Sequence, residues 1–255
     1  MPKGIYVRIK TSGKKTSTSK KTYSKAKEKK RMNQIQNVLM SCHKAGIHVL
    51  LTGRPGISKS TTAIRTALQL TETKKVACIV LPEDTPVAEL RGFYMPHEDG
   101  KFKWVDGPVT AMIRVGGICI LDELSHLSPE AQTFLHSALD DSPLTLPTGD
   151  TVDKHKEFWC VATQNDTMEV LRPAMMDRFP VRIDVKNPPP DVYAALPEDL
   201  RDPAQRQVEG EKGSLRPWFA FARLREHMDE REAAELLWPK RGNEMMTAIK
   251  LTKAA

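Results

Sequence analysis

Residues 47–70 constrain the fold more than any other stretch. "IHVLLT" (47–52) is a short, continuous apolar run with β-branched residues, the pattern of a strand buried on both faces of a parallel sheet. "GRPGISKST" (53–61) follows at once, and "TTAIRTALQL" then has helical spacing. Strand, glycine-containing loop and helix, in that order, form the context a phosphate-binding loop requires. Four further apolar runs read as buried strands: "KVACIVL" (75–81), "GGICILDE" (116–123), "EFWCVAT" (157–163) and "FPVRIDV" (179–185). Helical segments lie between them, so the alternation predicts an α/β fold, a parallel sheet with helices on both faces.

Two stretches interrupt the rhythm. "RGFYMPHEDGKFKWVDG" (91–107) has aromatics on both sides of "HEDGK", and "LTLPTGDTVDKHKEF" (144–158) has a turn centred on Thr148–Gly149–Asp150. Both predict inserted β-hairpins. "NPPP" (187–190) ends the sheet region. A polar stretch, 196–214, precedes helical patterns at "RPWFAFARLREHM" and "EAAELLWPKRGNEMMTAIKL". The expected organisation is an arm (1–31), an α/β nucleotide-binding domain (32–187) and a small helical domain (188–255).

The net charge of +7 hides an uneven distribution. Residues 1–31 carry twelve Lys/Arg and one acid, Glu28, for +11, which leaves the remaining 224 residues at −4. The arm is too poor in apolar residues to fold alone and is expected to be disordered. Ile5, Val7 and Ile9 alternate with Tyr6, Arg8 and Lys10, a pattern suited to a short strand on a partner. A basic arm can also neutralise the phosphates of a nucleic acid. The four cysteines form no C-x-x-C pair, and three sit in the strand runs, so they read as reduced core thiols. No apolar run approaches the ~20 residues of a membrane span, and no N-terminal segment resembles a signal peptide. A cytoplasmic protein with no membrane partner is expected.

Candidate chemistry lies at the predicted strand ends. The loop departs from G-x-x-x-x-G-K-[ST] at Ser58, where glycine is usual. Its backbone N–H groups can point at phosphate oxygens, and the following helix adds its N-terminal dipole. Gly53 and Gly56 permit close approach, with Arg54, Pro55, Ile57 and Thr61 completing the stretch. Lys59 would reach the β- and γ-phosphates, and the Ser60 hydroxyl would ligate Mg²⁺. Ser58 keeps its N–H, but if its φ must be positive the Cβ costs roughly 1–2 kcal/mol. Asp122 and Glu123 end one strand, where ligands bind in open parallel sheets. Asp122 is placed to hold the Mg²⁺ shell through water, and Glu123 to polarise an attacking water. Asn165 follows the next strand and can hold that water or the γ-phosphate. Arg178, or Arg172 close by, could place charge against a γ-phosphate from a neighbouring subunit. Arg241, in "WPKRGNE", is a last candidate cation.

The order and spacing of these residues are more informative than any one of them. Lys59 to Asp122 is 63 residues, Glu123 to Asn165 is 42, Asn165 to Arg178 is 13 and Arg178 to Arg241 is 63. The chain resembles AAA+ ATPases, specifically the MoxR-like branch, and is similar to CbbQ/NorQ and dynein-related modules. The matching segments are "HVLLTGRPGISKS" (Walker A), "GPVTAMIRVGGICILDEL" (Walker B and its approach), "FWCVATQND" (sensor 1), "RPAMMDRF" (arginine-finger box) and "WPKRG" (sensor 2). They cover about residues 33–250. The two predicted hairpins match the branch's helix 2 insert and its hairpin before sensor 1. Ser58 stands where some members have alanine, and "DELSH" stands where many have "DEINR", so the roles of that arginine and asparagine do not transfer to Ser125 and His126.

The resemblance implies a five-stranded parallel sheet with a helical lid, and ATP and Mg²⁺ at subunit boundaries of a ring, usually six subunits. It also implies a remodelling or activating role on a protein client, with a von Willebrand factor A-domain partner. Phe93, Tyr94, Phe102 and Trp104 on the first hairpin are candidates for contacting a partner. Two other readings stay open: a nucleic-acid-associated ATPase tethered by the basic arm, and a nucleotide-binding assembly protein with little turnover. ATP and GTP are not distinguished.

Overall fold

The computed structural model describes residues 34–71, 75–83, 85–165, 171–210 and 213–253. The basic arm and the alternating segment at Ile5–Ile9 lie outside the described residues. The elements in chain order are α1 (Gln34–Lys44), β1 (Val49–Thr52), α2 (Lys59–Leu70), β2 (Val76–Val80), α3 (Val87–Arg91), β3 (Gly92–Pro96), β4 (Phe102–Asp106), α4 (Pro108–Val115), β5 (Ile118–Asp122), α5 (Pro129–Ala138), β6 (Leu144–Thr145), β7 (Thr151–Val152), β8 (Trp159–Thr163), α6 (Pro173–Asp177) and β9 (Val181–Asp184). Five more helices follow: α7 (Pro190–Tyr193), α8 (Glu198–Gly210), α9 (Arg216–Leu224), α10 (Glu230–Leu237) and α11 (Gly242–Lys253).

Five strands form one parallel sheet in the order β2-β5-β8-β1-β9. All five correspond to the predicted runs. β1 lies between β8 and β9, so the chain leaves β1 for the far edge and returns beside it. That reversal opens a crevice at the C-terminal ends of β1 and β8, where open parallel sheets bind ligands.

The period of two along each strand sorts the core into layers. Val49, Leu51, Ile118, Ile120, Trp159 and Val161 face one way and pack with Leu39 of α1 and Ala63 and Ala67 of α2. Leu50, Cys119, Leu121, Cys160 and Ala162 face the other way, toward Ile113, Phe134 and Leu135 of α4 and α5. Strands covered on both faces have no polar face, which is why they read as continuous apolar runs. The four cysteines are free thiols, three of them buried.

Both predicted hairpins are present. β3 and β4 pair from Gly92↔Asp106 to Pro96↔Phe102, and β6 and β7 pair Leu144 with Val152. Trp104 packs partly against the core, whereas Phe93, Tyr94 and Phe102 are exposed.

From Pro190 onward the described chain is helical and carries its own cluster, including Leu200, Val208, Trp218, Phe221, Trp238 and Ile249. Trp218 and Trp238 rings meet at 4.8 Å, and the Trp218 indole donates to Gln207 at 2.7 Å. The stretch 196–214, read from the sequence only as polar, contains helix α8. Its buried residues are Leu200, Pro203, Ala204 and Val208, a narrow stripe on an otherwise charged helix. Pro203 masks the pattern in the sequence. Among the described residues no helix is long and apolar enough to cross a membrane.

Candidate functional site

The loop between β1 and α2 takes three left-handed or glycine-favoured conformations in six residues: Gly53 at φ 137°, Gly56 at φ 79° and Ser58 at φ 68°. A Cβ on Gly53 would collide with the Val185 carbonyl, and one on Gly56 with Ser214. Ser58 has a Cβ and adopts the left-handed region all the same, at roughly 1–2 kcal/mol. Its carbonyl accepts from both the Thr62 N–H and the Thr62 hydroxyl, each at 2.9 Å, and so anchors the first turn of α2.

Lys59 opens α2 and is only 6% exposed. Its ammonium donates to the carbonyls of Gly53 (2.5 Å) and Arg54 (2.9 Å) and to Asn165 Oδ1 (3.0 Å). A buried ammonium requires such acceptors. The contact to Asn165 brings the β8 end to the loop, so two residues 106 positions apart meet.

Asp122, at the end of β5, gathers the rest. The Ser60 hydroxyl donates to Asp122 Oδ1 at 2.5 Å, and the Thr163 hydroxyl donates to the same oxygen. The Glu123 N–H in turn donates to Thr163 Oγ1 at 3.3 Å. Thr163 is 1% exposed and links both carboxylate-bearing residues. It was missed in the sequence because a threonine ending a buried strand reads as a β-branched strand residue. Its signal was its place two residues before Asn165. Glu123 sits at φ 67°, ψ 49°, a second non-glycine residue in the left-handed region. Such strain costs of order 1–3 kcal/mol and clusters at functional sites.

These residues border a cleft of 420 Å³. One wall is Pro55, Gly56 and Ser58 from the loop with Lys59, Ser60 and Thr61 from the first turn of α2; the floor is Asp122, Glu123, Thr163 and Asn165. The helical portion supplies the opposite wall with Val192, Leu215, Arg216, Phe219 and Arg223. The cleft lining mixes apolar side chains with cations and has carboxylates at its base. Ser60 and Asp122 present hard oxygen donors side by side, a set that suits Mg²⁺.

Not every candidate reaches the cleft. Ile57 is fully buried in the core, and the Arg54 side chain runs to the helical portion, donating to Val208 O (2.6 Å) and Gly213 O (2.8 Å). Arg241 pairs with Glu244 through two contacts of 2.8 and 2.7 Å and does not line the cleft. That hydrogen bonding holds the Glu244 carboxyl below its usual range. The cleft-facing arginines of the helical portion are Arg216 and Arg223, which no motif singles out. Arg178 also lies outside the cleft lining, in an ion pair with Asp140 at 3.1 Å. Asp140 is held below its usual pKa, first by the Asp141 N–H and then by Arg178. Arg172 stands just before α6 without a side-chain bond to its first turn, and its N–H donates to Gln132 Oε1 at 3.4 Å.

A family model described as the AAA domain of the dynein-related subfamily matches residues 48–179. Three curated proteins are similar over comparable stretches. Protein NorQ of Paracoccus denitrificans is 30% identical over 138 residues, 51% of this chain and 50% of NorQ. Protein CbbQ of Hydrogenophilus thermoluteolus is 30% identical over 157 residues, 59% of this chain and 57% of CbbQ. The denitrification regulatory protein NirQ of Pseudomonas aeruginosa is 33% identical over 141 residues, 52% of this chain and 53% of NirQ. The chain thus spans between 50% and 57% of the length of these relatives.

Proposed function

The chain belongs to the dynein-related AAA family, and we propose that it binds ATP with Mg²⁺ in the cleft and hydrolyses it to ADP and phosphate. One observation carries this reading: the Lys59 ammonium, the Ser60–Asp122 pair, Glu123 and Asn165 converge on one cleft from three separate elements. Lys59 and the loop N–H groups would cradle the phosphates. Ser60 and Asp122 would hold Mg²⁺, which when bound neutralises charge on the transferred phosphoryl group. Glu123 orients and polarises the attacking water, and Asn165, already against Lys59, positions it. Arg216 and Arg223, across the cleft, supply the cations first expected from Arg241.

Arg178 has its own ion pair away from the cleft of the same chain, an arrangement that suits action on a neighbour's nucleotide. A head-to-tail interface of that kind closes into a ring, with a hexamer as the expected state. The ring would act in the cytoplasm as a MoxR-type chaperone or activator on a protein client, together with a von Willebrand factor A-domain partner. The exposed Phe93, Tyr94 and Phe102 of the β3–β4 hairpin are the surface offered to them.

The test is ATP turnover per subunit against protein concentration, with Glu123→Gln in parallel. Turnover that rises with concentration and vanishes in the variant supports a site shared between subunits. No turnover at any concentration, in a protein that still binds ATP, would reduce the cleft to a binding switch.

A further inference from the structure

Arg54 belongs to the phosphate loop, yet its side chain leaves the loop. Its two terminal nitrogens donate to the carbonyls of Val208 (2.6 Å) and Gly213 (2.8 Å). Val208 lies in the last turn of α8, where helix carbonyls have no partner within the helix and cations are favoured. Gly213 lies on the way to α9. The loop touches this connection a second time: the Leu215 N–H donates to the Gly56 carbonyl at 3.2 Å, and Ser214 fills the space a side chain at Gly56 would need. The loop therefore holds the last turn of α8 and residues 213–215 ahead of α9. Leu215, Arg216, Phe219 and Arg223 follow directly and form the cleft wall. At the other end of the relay, the carbonyl of Arg54 itself accepts from the Lys59 ammonium at 2.9 Å.

We infer that Arg54 is a positioning residue that transmits the conformation of the phosphate loop to the α8–α9 connection, and so sets the helical wall against the cleft. The inference rests on the nucleotide reading above. Lys59 cannot turn toward a phosphate without altering its bonds to the Gly53 and Arg54 carbonyls, and the Arg54 peptide carries the guanidinium that holds the helical portion. A planar guanidinium can serve two carbonyls in a fixed geometry, whereas a lysine ammonium is a mobile point charge. The alternative is a static cap on α8 that no ligand influences.

The two are separated by measuring amide exchange over α8 and α9, with and without MgATP, in the wild type, Arg54→Ala and Arg54→Lys. Affinity for a fluorescent ATP analogue is measured alongside. The expected wild-type result is slower exchange in both helices once ATP binds. Arg54→Ala is expected to lose the ATP-dependent slowing, to bind ATP no more weakly than Arg216→Ala or Arg223→Ala, and to drop kcat by about tenfold, because charge-assisted bonds that order the wall are gone. Arg54→Lys recovers part of both effects. ATP-dependent slowing that persists undiminished in Arg54→Ala would overturn the inference. So would loss of kcat with exchange unaltered. If Arg54→Ala fails to fold, Arg54→Lys alone decides, since a static cap predicts wild-type coupling in it. If the wild type binds no nucleotide, the proposed function fails, as the binding measurement shows by itself, and the inference falls with it.

Discussion

The hydroxyl of Thr163 and the carboxylate of Asp122, on neighbouring strands of the sheet, are joined by a hydrogen bond on the same oxygen that Ser60 holds from the loop. One carboxylate oxygen thus ties α2, β5 and β8 together, and Thr163 passes the constraint on to the Glu123 N–H. Thr163→Val removes the hydroxyl and keeps the branched shape. It leaves the half-buried Glu123 N–H and the Asp122 carboxylate short of a partner, at a cost of about 1–3 kcal/mol. The expected result in urea unfolding is a lower midpoint with an unchanged slope. ATP turnover is expected to fall at least tenfold, and Thr163→Ser should restore most of it.

Ser58→Gly is expected to be neutral or mildly stabilising. It relieves roughly 1–2 kcal/mol of left-handed strain and adds back about 0.4–1 kcal/mol of unfolded-chain entropy. Ser58→Val should be destabilised well beyond that, since a β-branched residue at φ 68° is a severe conformational outlier. Thermal unfolding of the two variants checks the order, and ATP affinity should follow the same order.

Arg178→Ala tests action across a subunit boundary. Its ion pair with Asp140 is partly exposed, with side chains 23% and 40% accessible, so the loss of stability should be small. Loss of a transition-state arginine, by contrast, costs about 10³–10⁵ in turnover. Mixing Arg178→Ala with Glu123→Gln subunits should recover activity that neither has alone, because some boundaries then pair an intact Glu123 with an intact Arg178. A mixture as inactive as its parts would place Arg178 outside the reaction.

Arg216→Ala and Arg223→Ala are expected to weaken ATP binding, read by fluorescence anisotropy, whereas Arg241→Ala leaves it unchanged. Arg241 and Glu244 form a solvent-exposed pair three residues apart, away from the cleft lining.

His48 predicts an acid limit to stability. Its Nδ1 accepts the Cys160 N–H at 3.1 Å, so the ring is neutral there. Burial, with Lys154 nearby and Asp141 opposing, lowers its pKa from 6.5 to about 4. The unfolded chain therefore binds a proton at higher pH than the folded one. The contribution is complete above pH 6.5 and is lost progressively as pH falls toward 4. Thermal midpoints measured across that window should decline, and His48→Gln should flatten the decline.

The sheet was legible because strands covered on both faces carry their apolar residues without interruption, as in Leu50 and Leu51 or Ile120 and Leu121. The contacts of Lys59, Ser60 and Asp122 were legible because the chemistry of phosphate and magnesium restricts residue type and spacing. The rest depends on geometry that spacing does not encode. Nothing local marks Thr163 as a bridge or sends the Arg54 side chain 154 residues away to Val208. Arg241 carried a motif but pairs with Glu244 in the first turn of α11. Arg216 and Arg223 carried none and face the cleft because α9 buries Trp218 and Phe221 on its other side. Helix α8 was hidden by Pro203, which its sequence shows as a breaker and its packing shows as core.

The base of the β3–β4 hairpin is locked. Side chains at Gly92 and Gly107 would collide with the backbone at Val105 and Leu90, the Gly107 N–H donates to the Arg91 carbonyl at 3.0 Å, and the Thr110 hydroxyl donates to the same carbonyl at 2.7 Å. With no slack at its root, the hairpin is a lever. Five residues of strand reach about 17 Å, so a tilt of about 10° at α3 and α4 carries the tip near Phe102 through about 3 Å, a mechanical gain no loose loop could deliver.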